Sequence, residues 1–402
     1  MSIQNDYMLA KQASGHAGHG FLRGGNVESA RIGEELMQQA IDAGMRKAGP
    51  VIQRVLDVMP DDALPAANKL VFNVACEAEG VQVGRLEMGW ANGEHANRSY
   101  SDGYSPDVLR PVHRHALGQL VNQIGGGLRT DYVQSLITST DPWKHRLAER
   151  ILGEHFTHDP AKYLVRTVDG EHRGVLSPSY RRLDSRPLLD SFIAGCKAMG
   201  AVPYDGIASD VKVAVRAIIP RVFNVNGDVF CLGLAWQNSD FGSGAYGITG
   251  WILRLLCDNG AMTESVLKQI HLGRKLDDAE IFSRETYELD TKTMVSATTD
   301  IVRALLSPGA LDKRVETIKA ASEREVEFAQ AVRPVREQLT KGEFEKAKEA
   351  FEGRDEWNLP AGKSQWRASN ALSWIAQDAD DDRKLELQSM AGKVLPKVKE
   401  AA

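Results

Sequence analysis

NSDFGSGAYGITGWILRLLCDNG, Asn238 to Gly260, joins a small-residue turn to an apolar run and stops at Asn259-Gly260. From Ala245 onward, Ile248, Ile252, Leu255 and Leu256 fall on one helical face, so the spacing predicts a helix over Ala245 to Cys257. Gly247 and Gly250 would each cost that helix about 1 kcal/mol against alanine, which implies a close neighbour such as a sheet backbone. Asn238, Ser239, Asp240 and Ser243 are all competent N-caps. With Gly242 and Gly244 they also make a candidate phosphate-binding turn, centred on Asn238, Ser239, Gly242 and Ser243, at the helix N-terminus. Plain capping is the competing reading. No Gly-Lys-Ser/Thr follows, so the turn is not a Walker loop.

Upstream, VKVAVRAII alternates Val211, Val213, Val215 and Ala217 against Lys212, Ala214 and Arg216, the period of a half-buried strand. Asn226-Gly227 is a type I′ hairpin signal. The return run, DVFCLGLAW, is apolar on both faces and predicts a strand covered on both sides. Further upstream, Tyr163 to Val168 and HRGVLS form a second predicted hairpin across Asp169-Gly170, followed by a helix from about Pro187 to Gly200.

The fold class expected is α+β: a central antiparallel sheet with the small-residue helix packed on it, and helical N- and C-terminal regions. A chain of 402 residues allows about two to three domains. The divisions expected are a flexible tail over 1–25, a helical region with a β-hairpin over 26–160, a central α+β core over 161–275, and a helical region over 276–402. In the second, Val27 to Met59 reads as a helix broken at Gly49-Pro50, Lys69 to Trp90 as two strands turning at Glu79-Gly80, and Asn92 to Pro106 as a polar loop. In the last, Pro334 should kink or break the helix, SQWRASNALSWIAQ opens another, and Asp378 to Asp382 is an acidic run.

The four cysteines, Cys76, Cys196, Cys231 and Cys257, have no metal-ligand spacing and read as buried thiols of a reducing compartment. No metal or cofactor is expected. His16 and His19 lie in the tail without acidic or Cys partners. His113 and His115, two apart on a predicted helix, cannot share a ligand and read as surface or cap residues. His155, His158 and Asp159 are the best enzymatic candidates, yet no distal partner completes them. With no signal peptide and no run of about eighteen apolar residues, the protein is expected to be soluble and cytoplasmic.

Net charge is −5. Residues 162–275 carry 14 Lys/Arg against 10 Asp/Glu, whereas the flanks carry 15 against 19 and 20 against 25. The middle is the only basic part, and phosphate-binding surfaces are local. Arg166, Arg173, Arg181, Arg182 and Arg186 gather around the second hairpin and its exit loop. Pairing with Asp169, Glu171 and Asp184 is the alternative to a cationic patch.

LVRTVDGEHRGVLSPSYRRLDSRPLL, NSDFGSGA, RLLCDNG and SQWRASNALSWIAQ, in this order, resemble the phage/plasmid-like protein family catalogued as domain of unknown function 932. The resemblance covers roughly residues 119–395 and implies a mobile-element protein without implying an activity. The order of helix, hairpin, strand and small-residue helix is also similar to the core of single-strand annealing proteins. That similarity implies a non-catalytic homo-oligomer that binds single-stranded DNA and anneals or recombines strands. Candidate contacts are Arg173, Arg181, Arg182, Lys212, Arg216 and Arg254, with Tyr180 as a stacking ring; Trp236 is more simply a core residue. The alternative is a protein-interaction module, such as a host-defence inhibitor or assembly factor.

Overall fold

Asn226 and Gly227 have φ values of 52° and 88°, the two left-handed residues that a type I′ turn requires. Around them a computed structural model places the strands that the alternation predicts. It describes residues 27–76, 84–90, 109–256, 259–269, 284–353 and 359–396. The expected tail with His16 and His19, the Glu79-Gly80 turn, the Asn92–Pro106 loop and Cys257 lie outside the described residues.

Helix α1 (Val27–Asp57) leads into β1 (Asp61–Ala63), β2 (Leu70–Cys76), β3 (Gly84–Trp90) and β4 (Arg110–Pro111). Helices α2 (Arg114–Ile124), α3 (Thr130–Ile137) and α4 (Pro142–Thr157) follow, then the hairpin β5 (Leu164–Val168) and β6 (Glu171–Leu176). Next come α5 (Ser185–Ala198), β7 (Val202–Ala208), β8 (Val213–Ile218), β9 (Phe223–Val225), β10 (Asp228–Asn238), β11 (Tyr246–Arg254) and β12 (Asn259–Gln269). The chain ends helically, with α6 (Arg284–Leu305), α7 (Pro308–Glu323), α8 (Phe328–Ala331), α9 (Lys341–Glu352), α10 (Gln365–Ile375) and α11 (Asp381–Val394).

The fold is α+β, with antiparallel sheets and helical regions at both ends. The central sheet runs β12-β11-β10-β8-β7, with β9 also on β10. One face of β10 packs Val229, Cys231 and Ala235 with Ile32, Leu36 and Ala40 of α1. The other packs Leu234 and Trp236 with Leu188 and Phe192 of α5 and Met294 and Val302 of α6. Burial on both faces explains the unbroken apolar run of β10. Two smaller sheets, β1-β5-β6 and β2-β3-β4, lie upstream. The Asp169-Gly170 turn of the former has φ values of 52° and 78°.

The helix predicted over Ala245 to Cys257 is a strand. Tyr246 to Arg254 forms β11, in register with β10 from Gln237↔Gly247 to Phe230↔Arg254. All nine residues are buried, so no polar face marks a period of two. The helical spacing of Ile248, Ile252, Leu255 and Leu256 is coincidental, and the β-branched and aromatic content (Ile248, Thr249, Trp251, Ile252) favours a strand. A close neighbour does explain Gly250: a Cβ there would lie 2.1 Å from Thr263 Oγ1. The expected stop, Asn259-Gly260, instead opens β12.

Two smaller expectations also change. Helix α1 runs through Gly49-Pro50 without breaking; both residues face solvent, where a carbonyl that loses its amide partner to proline need not be buried unpaired. Strand β8 is buried along its whole length, Arg216 included. The break near Pro334 forms as expected, and Ser364 and Asp380 cap α10 and α11.

Candidate functional site

The predicted phosphate turn connects β10 to β11, so it opens no helix of its own, and the helix start beside it, Ser185 of α5, is already met by the Asp240 carboxyl. Its polar groups are engaged inside the protein. Ser239 Oγ donates to the Val211 carbonyl at 2.7 Å and accepts from the amides of Phe241 and Ser243 at 3.3 and 2.9 Å. Asn238 Nδ2 donates to the Leu183 carbonyl at 2.6 Å. Gly242 has φ 76° and packs against Leu176, and Tyr180 OH donates to the Ser239 carbonyl at 3.1 Å.

Behind the turn lies Arg166, 1% exposed. Its guanidinium reaches Asp62 Oδ1 at 2.8 Å, the Asp240 carbonyl at 2.8 Å and Asp184 Oδ1 at 2.5 Å. Burial opposes its charge, but Asp184, Asp62 and Asp240 more than offset this and hold its pKa above the ordinary value. Asp240 is partly exposed as a residue, yet its carboxyl faces inward and accepts from the Ser185 amide and hydroxyl, both at 2.8 Å. Burial raises that carboxyl to about 6, with Arg166 opposing and Asp184 adding to the rise. This network ties β1 and β5 to the start of α5 and the β10–β11 turn. It borders a cleft of roughly 560 Å³ that includes open solvent, where Arg54, Arg173 and Lys212 meet Asp169, Asp210 and Asp240.

The predicted nucleic-acid contacts do not form one surface. Arg216 and Arg254 are buried at 2% and 1% exposure. Arg216 pairs with Asp205 and Gln388 and lies over the Trp251 ring; Arg254 is held by Asp228 at 2.6 and 2.9 Å. Arg181 is clamped by Asp290 at 2.7 and 2.6 Å, and Arg182 sits 3.1 Å from Asp62 and over the Tyr287 ring. Arg173 pairs with Glu171 at 3.2 Å and Lys212 with Asp382 at 3.4 Å; these two line the cleft. Tyr180 and Trp236 are buried. The alternative of arginines paired with acids fits the geometry, although the partners are mostly distant ones.

Of the enzymatic candidates, Asp159 is in structural use and His158 is exposed. Asp159 accepts from the Ala161 amide at 2.8 Å and from Tyr163 OH at 2.6 Å, and His158 lies 3.9 Å from Glu154. Among the described residues no three His, Cys, Asp or Glu side chains are grouped to hold a metal. His113 caps α2, its Nδ1 accepting from the His115 amide at 3.1 Å.

A different surface carries exposed aromatic and cationic side chains. In DPWKHRLAERILGEHFT, α4 buries His145, Ala148, Leu152 and Phe156. Its opposite face presents Trp143, Arg146 and Arg150, spaced three and four apart and all exposed. Trp143 is 55% exposed, and Tyr132, on the neighbouring α3, is 50% exposed. Arg129, at the N-cap of α3, is exposed as well. Among the described residues no carboxylate lies within ion-pair distance of Arg129, Arg146 or Arg150, whereas Lys144 pairs with Asp141 at 2.7 Å. The signal was readable: a tryptophan on the polar stripe of an amphipathic helix has no core to fill.

No family model matches the chain, and no curated protein or solved structure matches it either. Among the described residues no helix is long and apolar enough to cross a membrane.

Proposed function

We propose that this protein is a non-catalytic binder of single-stranded DNA and that the exposed face of α4 is its contact surface. The carrying observation is an exposed tryptophan, Trp143, in line with two arginines that no described carboxylate neutralises. Single strands are held where cations follow the backbone and aromatic rings stack on bases, each stack contributing about 1–3 kcal/mol. Tyr132 and Arg129 extend the surface onto α3. The phage or plasmid setting rests on the family resemblance, and homo-oligomer formation and strand annealing rest on the similarity of element order to annealing proteins, in which β11 stands where the small-residue helix was expected; all belong to the same proposal.

The test is a pair of double variants. Arg146→Gln with Arg150→Gln should weaken binding to a labelled single strand and reduce the steepness of log K against log salt by about 1.4, at about 0.7 for each phosphate that is no longer neutralised. Arg181→Ala with Arg182→Ala, whose charges Asp290 and Asp62 already meet, should leave that slope unchanged. The opposite pattern would return the interface to the second hairpin and its exit loop. Binding by neither the wild type nor the variants would favour an acidic protein partner on the same face.

A further inference from the structure

Cys76 departs from the expectation of buried thiols. Cys196 and Cys231 are buried, and burial pushes both thiols up to about 12. Cys76, the last residue of β2, is exposed. Its Sγ lies 3.5 Å from His145 Nδ1. The other ring nitrogen, Nε2, lies 2.6 Å from the Ser139 carbonyl oxygen. A carbonyl only accepts, so Nε2 carries the hydrogen and Nδ1 presents its lone pair to the thiol. His145 is 6% exposed and held in place by α4. A nucleophile, a base in the right tautomer and a third group orienting that base are therefore aligned.

We propose that Cys76 is a modification site that forms mixed disulfides with low-molecular-weight disulfides, with His145 as its base. The Cys76 S–H proton passes to His145 Nδ1 as the sulfur attacks one sulfur of the small disulfide. The new S–S bond forms as the old one breaks. The departing thiolate then takes the proton back from His145, so one thiol and one disulfide are consumed and one of each is formed.

The experiment treats the full chain with oxidised glutathione and follows each cysteine by peptide mass mapping. Cys76 should be modified at least about tenfold faster than the same cysteine in a synthetic peptide of residues 70–82, and His145→Gln should remove most of that advantage. Cys196 and Cys231 should stay unmodified throughout, which also reports that the variant is folded. Equal rates in protein and peptide would overturn the proposal. So would an unchanged rate in His145→Gln with the buried thiols still protected.

Discussion

Arg254 Nε lies 2.6 and 2.9 Å from the two oxygens of Asp228, and Trp366 Nε1 donates to the same carboxylate at 2.6 Å. Arg166, Arg216 and Arg367 are buried in comparable ways, the last donating to the carbonyls of Phe351 and Pro360 at 2.7 and 2.6 Å. A buried charge persists only where it is paired. The sequence near Arg166 and Arg181 announces only part of the pairing: Asp184 stands close to Arg166, but Asp62 and Asp290 stand 104 and 109 residues away from Arg166 and Arg181. Residues that read as a cationic patch are therefore largely internal fastenings. His172 is a neutral counterpart, 0% exposed between Thr167 Oγ1 at 2.8 Å and the Met88 carbonyl at 3.0 Å. Burial lowers its pKa from 6.5 to about 4, the Met88 bond opposing and Arg110 adding to the fall. Between those values the unfolded chain binds the proton and the folded chain does not, so acid costs stability there. Urea midpoints should fall from pH 7 to pH 5 more in the wild type than in His172→Gln; equal falls would remove His172 from the acid response.

At the scale of elements, both end strands of the central sheet meet a helix through a glycine. A Cβ on Gly44 of α1 would lie 1.6 Å from the Tyr204 carbonyl oxygen of β7, and one on Gly392 of α11 would lie 1.4 Å from the Met262 carbonyl oxygen of β12. These close approaches cover strands that would otherwise offer unpaired backbone to another chain. Gly44→Ala and Gly392→Ala should each cost at least about 1–3 kcal/mol in urea unfolding and promote aggregation on heating. Variants as stable and as soluble as the wild type would show that the helices do not need this approach. Hairpins were the most legible elements, since Asn226-Gly227 and Asp169-Gly170 encode left-handed turns locally. Strand β11 was not, because its burial on both faces comes from α1 and α6, elements outside its own stretch of sequence. Sequence spacing alone could not distinguish that strand from a buried helix.

For the molecule as a whole, a net charge of −5 speaks against indiscriminate binding of nucleic acid, and the basic middle third uses many of its arginines inside the fold. The site was therefore less legible than the architecture. Overall charge bias drew attention to residues 162–275, while the exposed arginines and tryptophan of α4 lie before them in a stretch with no basic excess. The most direct measurement is fluorescence anisotropy of a labelled single-stranded oligonucleotide, with the duplex alongside, across a salt series and on protein sized by light scattering. The account predicts salt-sensitive binding that prefers the single strand and is abolished in Trp143→Ala with Arg146→Gln and Arg150→Gln. No binding at low salt, or binding indifferent to those three substitutions, would contradict it.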